Sequence, residues 1–115
     1  MIKRPGTKVR GSTTGRPLLV LFDVLGQRWS LRILWELRNN RLTFRELQSR
    51  CNDISPTVLN RRLKELRELK LLDHNNQGYG FTVWGRKIGK QLGQLEKLAG
   101  EWGREFITEP GKTKR

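Results

Sequence analysis

The chain has 115 residues, enough for one compact domain with a single hydrophobic core. It carries 24 Lys and Arg against 11 Asp and Glu, and the net charge of +13 favours a polyanionic partner, above all nucleic acid. No apolar run approaches the roughly 20 residues of a membrane span, and the N-terminus lacks the apolar segment of a secretory signal, so we expect a cytoplasmic protein. One cysteine and one histidine exclude an intrachain disulfide and argue against a metal site or cofactor.

Both ends of the chain are basic. Residues 1–15 interleave cations with glycine, proline, serine and threonine, and residues 105–115 end in a second basic segment. The composition of the first segment is typical of disorder. We therefore predict one folded domain over residues 16–104, flanked by a disordered basic N-terminal tail and a basic C-terminal tail.

The first helical pattern begins at Pro17, ends before Gly26 and is apolar almost all round. A helix in a small domain can bury only one face in its own core, so the second apolar face predicts a further partner. A second helical pattern covers residues 29–38, and Leu42 follows as a short strand.

Capping signals mark the next two helices. Thr43 with Glu46 three residues later is typical of a capping box and predicts a short helix that continues through Arg50. Ser55, followed by a proline, predicts the start of a longer helix over residues 56–70.

A hairpin and a long helix complete the pattern. Leu71 and Leu72 begin a strand, residues 75–78 supply turn chemistry, and residues 79–81 return as the partner strand. Thr82 can cap the last helix. The sequence thus predicts a mainly α fold with a small β-hairpin.

The last helix carries five glycines within roughly 80 degrees of one another on the helical wheel. They are Gly85, Gly89, Gly93, Gly100 and Gly103. Because each glycine costs a helix roughly 1 kcal/mol relative to alanine, this face predicts the close approach of another helix. The alternative is a helix that breaks or frays near its last two glycines.

A polar-faced helix directly before a two-stranded wing is the element order of a winged helix-turn-helix. The helix over residues 56–70 buries leucines on one side and presents donors on the other, at a width that suits the major groove. We expect base-edge or nearby backbone contacts from Ser55, Thr57, Asn60 and Arg61, and phosphate contacts from Arg62, Lys64 and the tails. The alternative is an ordinary amphipathic helix with a solvated face.

Four motifs carry a family resemblance over residues 16–103. They are Leu25-Gly26-x-Arg28-Trp29-x-Leu31-x-Ile33-Leu34-x-x-Leu37, Phe44-x-Glu46-Leu47, Ile54-Ser55-Pro56-x-Val58-Leu59-x-x-Arg62-Leu63-x-x-Leu66 and Phe81-Thr82-x-x-Gly85. In combination they resemble the HxlR branch of the MarR-like winged-helix regulators. The resemblance implies a homodimer built through the first and last helices, paired recognition helices on a pseudo-palindromic operator, and no catalytic activity.

The chain departs from the family pattern in two places. Several relatives use a cysteine directly before the proline of the first helix as a thiol sensor, and this chain has Arg16 there. The wing is also short and has no arginine at its tip, residues 75–78. The thiol switch and a minor-groove contact by the wing tip are therefore not expected, and the N-terminal tail is a candidate for the latter contact.

Four further residues have two readings each. Cys51 is either a small hydrophobe or a displaced redox sensor, and we favour the former. His74 is either a solvated strand-end residue or a phosphate contact, and Trp29 and Trp35 are core aromatics in preference to a ligand cage.

We expect a sequence-specific, homodimeric regulator that binds double-stranded DNA. One alternative is an architectural, nucleoid-type protein without sequence preference, which the tail charge supports. A second is a basic RNA-binding protein, but the few aromatic residues offer no stacking platform. No nucleophile, base and orienting group form a set that predicts an enzyme. The operator and any small-molecule effector cannot be read from the sequence.

Overall fold

The computed structural model describes residues 16–107, and the predicted tails over residues 1–15 and 108–115 lie outside that range. Within it the order is α1 Pro17–Leu25, α2 Ser30–Glu36, α3 Phe44–Arg50, α4 Pro56–Glu68, β1 Leu72–Asn75, β2 Gly78–Phe81 and α5 Val83–Arg104. The predicted fold class, mainly α with one hairpin, is confirmed. None of these helices is long and apolar enough to cross a membrane.

The predicted capping signals begin three of the helices. Thr43 forms the full capping box of α3, with its hydroxyl accepting from the Glu46 amide at 3.1 Å while its own amide donates to Glu46 Oε1 at 2.8 Å. Ser55 Oγ accepts from the Val58 amide at 3.2 Å and begins α4, and Thr82 caps α5. Local side-chain chemistry therefore sets where these helices start.

The core lies between α2, α3 and α4. Its fully buried aliphatic side chains are Ile33, Leu34, Leu47, Leu59, Leu63, Leu66 and, from α1, Val24. Leu21 and Leu25 of α1 and Ile88 and Leu92 of α5 pack against this cluster from outside while keeping part of their surface exposed. Burial of each core side chain contributes roughly 1.5–3 kcal/mol relative to full exposure, so the three central helices hold the domain together.

The hairpin pairs Leu72 with Phe81 and Asn75 with Gly78 in antiparallel register. The predicted strand at Leu42 is a single bridge, in which its amide and carbonyl both bond to Tyr79, at 3.1 and 2.8 Å. Gly78 has a φ of 115° and lies against the Leu42 backbone, where a side chain would not fit. The wing is thereby fixed to the segment between α2 and α3.

The glycine face of α5 packs differently from the prediction. Gly85 and Gly89 are buried, but their neighbours are the Phe81 ring and, for Gly85, the Leu71 carbonyl of the hairpin. The nearest atoms to both glycines thus belong to the hairpin and not to a second helix. Gly93, Gly100 and Gly103 have no atom of that part of the chain near the place where a side chain would start. The helix nevertheless continues to Arg104, so the predicted alternative of a break near the last glycines is wrong.

Two helices leave apolar surface uncovered. On α1, Leu18 and Phe22 are 54% and 58% exposed, and on α5 the exposed residues include Leu95, Leu98 and Trp102. A groove of about 690 Å³ runs between α1, the end of α4 and the first turns of α5. The expected second apolar face of α1 is thus present.

Candidate nucleic-acid interface

The polar side of α4 carries most of the predicted contact residues. Thr57, Asn60, Arg61 and Lys64 are all exposed, and within residues 16–107 their side chains form no hydrogen bond or ion pair. Their spacing places them on one side of the helix, opposite the buried leucines. The structure therefore brings these four predicted residues together on a surface that can meet a ligand from solvent.

Ser55 lies at the edge of this surface. It is exposed, but its hydroxyl is engaged as the N-cap of α4. The N-terminus of a helix carries partial positive charge and attracts phosphate oxygens. Ser55 thus orients the end of α4 that would enter a groove, while its hydroxyl retains a donor hydrogen.

Arg62 does not join the other predicted residues. Its side chain lies on the inner side of α4 and is only 9% exposed as a residue. Nε donates to the Arg28 carbonyl at 2.9 Å, and Nη1 bonds to Glu65 Oε1 at 2.8 Å. The prediction of a phosphate contact does not fit this placement. Arg62 lies at 100 degrees from Arg61 on the helix, far enough to turn it toward the core.

The turn between α3 and α4 is held by local bonds. Asn52 and Asp53 adopt left-handed φ angles of 56° and 57°, a conformation that their short polar side chains tolerate. The Asp53 amide donates to the Gln48 carbonyl at 2.8 Å, and Gln48 Nε2 donates to the Ile54 carbonyl at 3.0 Å. The turn thus sets the direction in which α4 leaves α3.

An ion-pair network fixes α3 against α2. Glu36 pairs with Arg32 at 2.8 Å and with Arg50 at 3.7 Å, and Arg32 Nη2 also donates to the Arg50 carbonyl at 2.8 Å.

Arg45, in the first turn of α3, is exposed and forms no side-chain bond in the described range. The sequence analysis did not include Arg45 among the contact residues. Its position in the first turn after the capping box could have predicted a phosphate contact, because the first helix of a helix-turn-helix crosses the DNA backbone.

The wing, residues 72–81, is polar at its tip but contains no lysine or arginine. Residues 73–77 are exposed, and the His74 ring stacks on Tyr79 with the centroids 4.3 Å apart. The Arg41 guanidinium pairs with Asp73 and donates to the Gly78 carbonyl at 2.9 Å. Arg41 therefore binds both strands of the wing and stabilises its position.

Cys51 is fully buried beside the core. Burial raises the pKa of its thiol, with Arg32 opposing the rise and Glu36 adding to it. A buried thiol of raised pKa is a poor nucleophile, which supports the small-hydrophobe reading.

Trp29 is partly buried against the core, whereas Trp35 lies beneath the Arg38 guanidinium at 3.3 Å from its ring centroid. Residues 16–107 contain no group of His, Cys, Asp or Glu suited to a metal ion.

Helices α3 and α4 with their tight turn, a polar α4 surface and a hairpin directly after it define a winged helix-turn-helix protein. Residues 24–107 match the HxlR-like helix-turn-helix family. The chain belongs to this family, as its motifs indicated, and it is a transcriptional regulator.

Individual relatives agree with this assignment. The chain is 30% identical over 87 residues to the HTH-type transcriptional regulator YvaP of Bacillus subtilis, with 70% of this chain and 81% of YvaP covered. It is similar in structure to quinone-bound YodB of B. subtilis, at 25% identity and a TM-score of 0.66, covering 73% of this chain and 94% of that one. A possible HxlR family transcriptional factor from Thermoplasma volcanium matches at 26% identity and a TM-score of 0.65, covering 73% and 82%.

Proposed function

We propose that this regulator binds a specific pseudo-palindromic operator as a homodimer, with α4 of each protomer in the major groove. The observation that carries the proposal is the cluster of Thr57, Asn60, Arg61 and Lys64, exposed and without partners in the described chain on one side of a capped helix. Long polar side chains left unpaired on a helix suit hydrogen bonding to base edges. We propose a cytoplasmic location, where such a regulator meets its DNA.

The contacts divide into two kinds. Arg61 lies opposite the buried leucines and can present a guanidinium fork to a guanine, while Asn60 can present an amide to an adenine. Lys64, one turn after Asn60, is assigned to a phosphate, and Ser55 at the start of α4 to a base edge or nearby backbone. Arg45 of α3 is an added phosphate contact. Thr57 completes the base-facing set near the start of the helix.

The dimer is proposed to form through α1 and α5. Leu18 and Phe22 of the first helix and Leu95 and Trp102 of the last leave more apolar surface in water than single scattered residues would. The groove between the two helices continues this surface. A second copy of the same chain would cover both faces by two-fold symmetry and would place two α4 helices on successive half-sites.

Selection of bound duplexes from a random pool tests the function. We expect enrichment of an inverted repeat whose half-sites lie about 10 base pairs apart from centre to centre. Enrichment of a single unrepeated site would argue against the dimer. Binding without any enriched sequence would contradict the proposal and support the architectural alternative.

A further inference from the structure

Arg62 is a charged side chain turned into the domain from the helix proposed to read DNA. A buried cation is costly unless hydrogen bonds and an opposite charge compensate it. Here Nε meets the Arg28 carbonyl at 2.9 Å and Nη1 meets Glu65 at 2.8 Å. Glu65 lies on α4 itself, so the pair with it orients the guanidinium, and the bond to Arg28 reaches out of the helix to another part of the chain.

The acceptor lies in a tight turn between α1 and α2. Arg28 precedes Trp29, which has a φ of 80°, a left-handed conformation unusual for a bulky residue. The turn closes through the Gln27 amide on the Val24 carbonyl and the Ser30 amide on the Gln27 carbonyl, at 3.2 and 3.1 Å. Within residues 16–107 no backbone amide outside a helix or strand donates to the Arg28 carbonyl. Arg62 supplies its hydrogen bond.

The bond therefore joins the proposed recognition helix to the turn that follows the proposed dimer helix. The Gln27–Val24 hydrogen bond ties this turn to the last residues of α1. Apolar contacts between α4 and the core hold the helix in place but have little directional preference, whereas a charge-assisted hydrogen bond fixes distance and angle. Any tilt of α4 against this turn, and so against the end of α1, would stretch the bond between Arg62 and Arg28. In a dimer, such a tilt would also change the separation of the two α4 helices.

We propose that Arg62 is a positioning residue that fixes α4 relative to α1 and thereby sets the half-site spacing that the dimer accepts. This inference rests on the proposed operator-binding function. It assigns Arg62 no contact with DNA, in contrast to its neighbour Arg61.

The test uses the enriched operator with its half-sites at the selected spacing and displaced by one base pair in either direction, about 3.4 Å along the axis. We expect Arg62→Met to reduce the discrimination between the selected and displaced spacings by about tenfold, the scale of one charge-assisted bond, and to leave affinity for a single half-site unchanged. Arg62→Lys, which keeps the charge, should restore part of the discrimination. The matched control is Arg61→Met, which should weaken binding at every spacing and keep the spacing preference.

Two results would overturn the proposal. Arg62→Met could lower DNA affinity equally at all spacings and flatten the dependence of affinity on salt. If Arg62→Lys restored that salt dependence, Arg62 would be a phosphate contact. An unchanged spacing preference with only a lower melting temperature would make it a packing residue.

Hydrogen exchange without DNA separates failure of this inference from failure of the proposed function. In Arg62→Met, amides of residues 27–33 should exchange about tenfold faster than in wild type, and in Arg61→Met they should not change. If wild type selects no half-site, the proposed function fails and the spacing role falls with it. If half-sites are selected but exchange in the turn is unaltered, the function stands and the role of Arg62 is refuted.

Discussion

Gly85 lies against the backbone carbonyl of Leu71, so closely that a methyl group on its Cα would overlap that oxygen. The carbonyl belongs to the start of the hairpin and cannot move independently of it. We therefore expect Gly85→Ala to lower the free energy of unfolding by about 1–3 kcal/mol, the usual cost of overpacking. Thermal and urea unfolding would measure the loss.

Gly93 provides the matched control for Gly85. No atom of the described chain lies near its missing side chain, and an alanine there gains helix propensity. Gly93→Ala should raise the free energy of unfolding by roughly 1 kcal/mol. A loss of stability at Gly93 would contradict this and would point to a partner helix on the glycine face.

The exposed apolar face of α5 predicts the oligomeric state. Wild type should sediment at twice the 13.5 kDa chain mass at micromolar concentration. Leu95→Glu would place a charge in the proposed interface and should yield monomers, because an unpaired carboxylate resists burial. Gln94→Glu adds the same charge at the neighbouring exposed position and should leave the dimer intact. Wild-type monomers would refute dimerisation.

Arg61 and Lys64 separate base reading from phosphate contact. Arg61→Ala should cost about 1–3 kcal/mol of specific binding, concentrated at one position of each half-site, while melting barely moves because the side chain is exposed. Lys64→Ala should weaken binding to all sequences and reduce the salt slope by about one unit. Titrations on matched and single-mismatch duplexes at two salt concentrations measure both. Unchanged binding in both variants would show that α4 is not the recognition helix.

Cys51 should behave as a core residue and not as a sensor. Its pKa is raised, chiefly by burial, so alkylation at pH 8 should be much slower in the folded protein than after denaturation. Because the folded pKa exceeds the unfolded one, the thiol's contribution to stability is complete below the unfolded pKa and is lost as the pH rises through the folded value. The contribution therefore declines only in the alkaline range, a decline that Cys51→Ala should lack. Rapid alkylation of the folded protein would contradict the burial.

The N-terminal tail is expected to act through charge alone. Deletion of residues 1–14 removes four cations, so affinity should fall similarly on operator and random DNA, and its salt dependence should flatten. Fluorescence titration over a range of salt concentrations would measure this. Lost discrimination with unchanged affinity for random DNA would instead make the tail a base reader.

Most of the local structure could be predicted from the sequence because its causes are local. The capping box at Thr43 and the Ser55 cap before a proline set helix starts through bonds to residues three positions away. The leucines of α4 recur on one side of the helix, so the helical period also predicted which residues form its polar side. Element order then identified the class, and the motifs identified the family.

Tertiary structure decided the points that depend on residues far apart in the chain. Arg62 looks like its exposed neighbour Arg61 in the sequence, and only the fold brings the Arg28 carbonyl, 34 positions earlier, within 2.9 Å of it. Gly85 and Gly89 were expected to meet another helix, yet the hairpin turns Phe81 onto them. The helical period specifies which residues share a face. What that face meets depends on long-range packing, which no local pattern encodes.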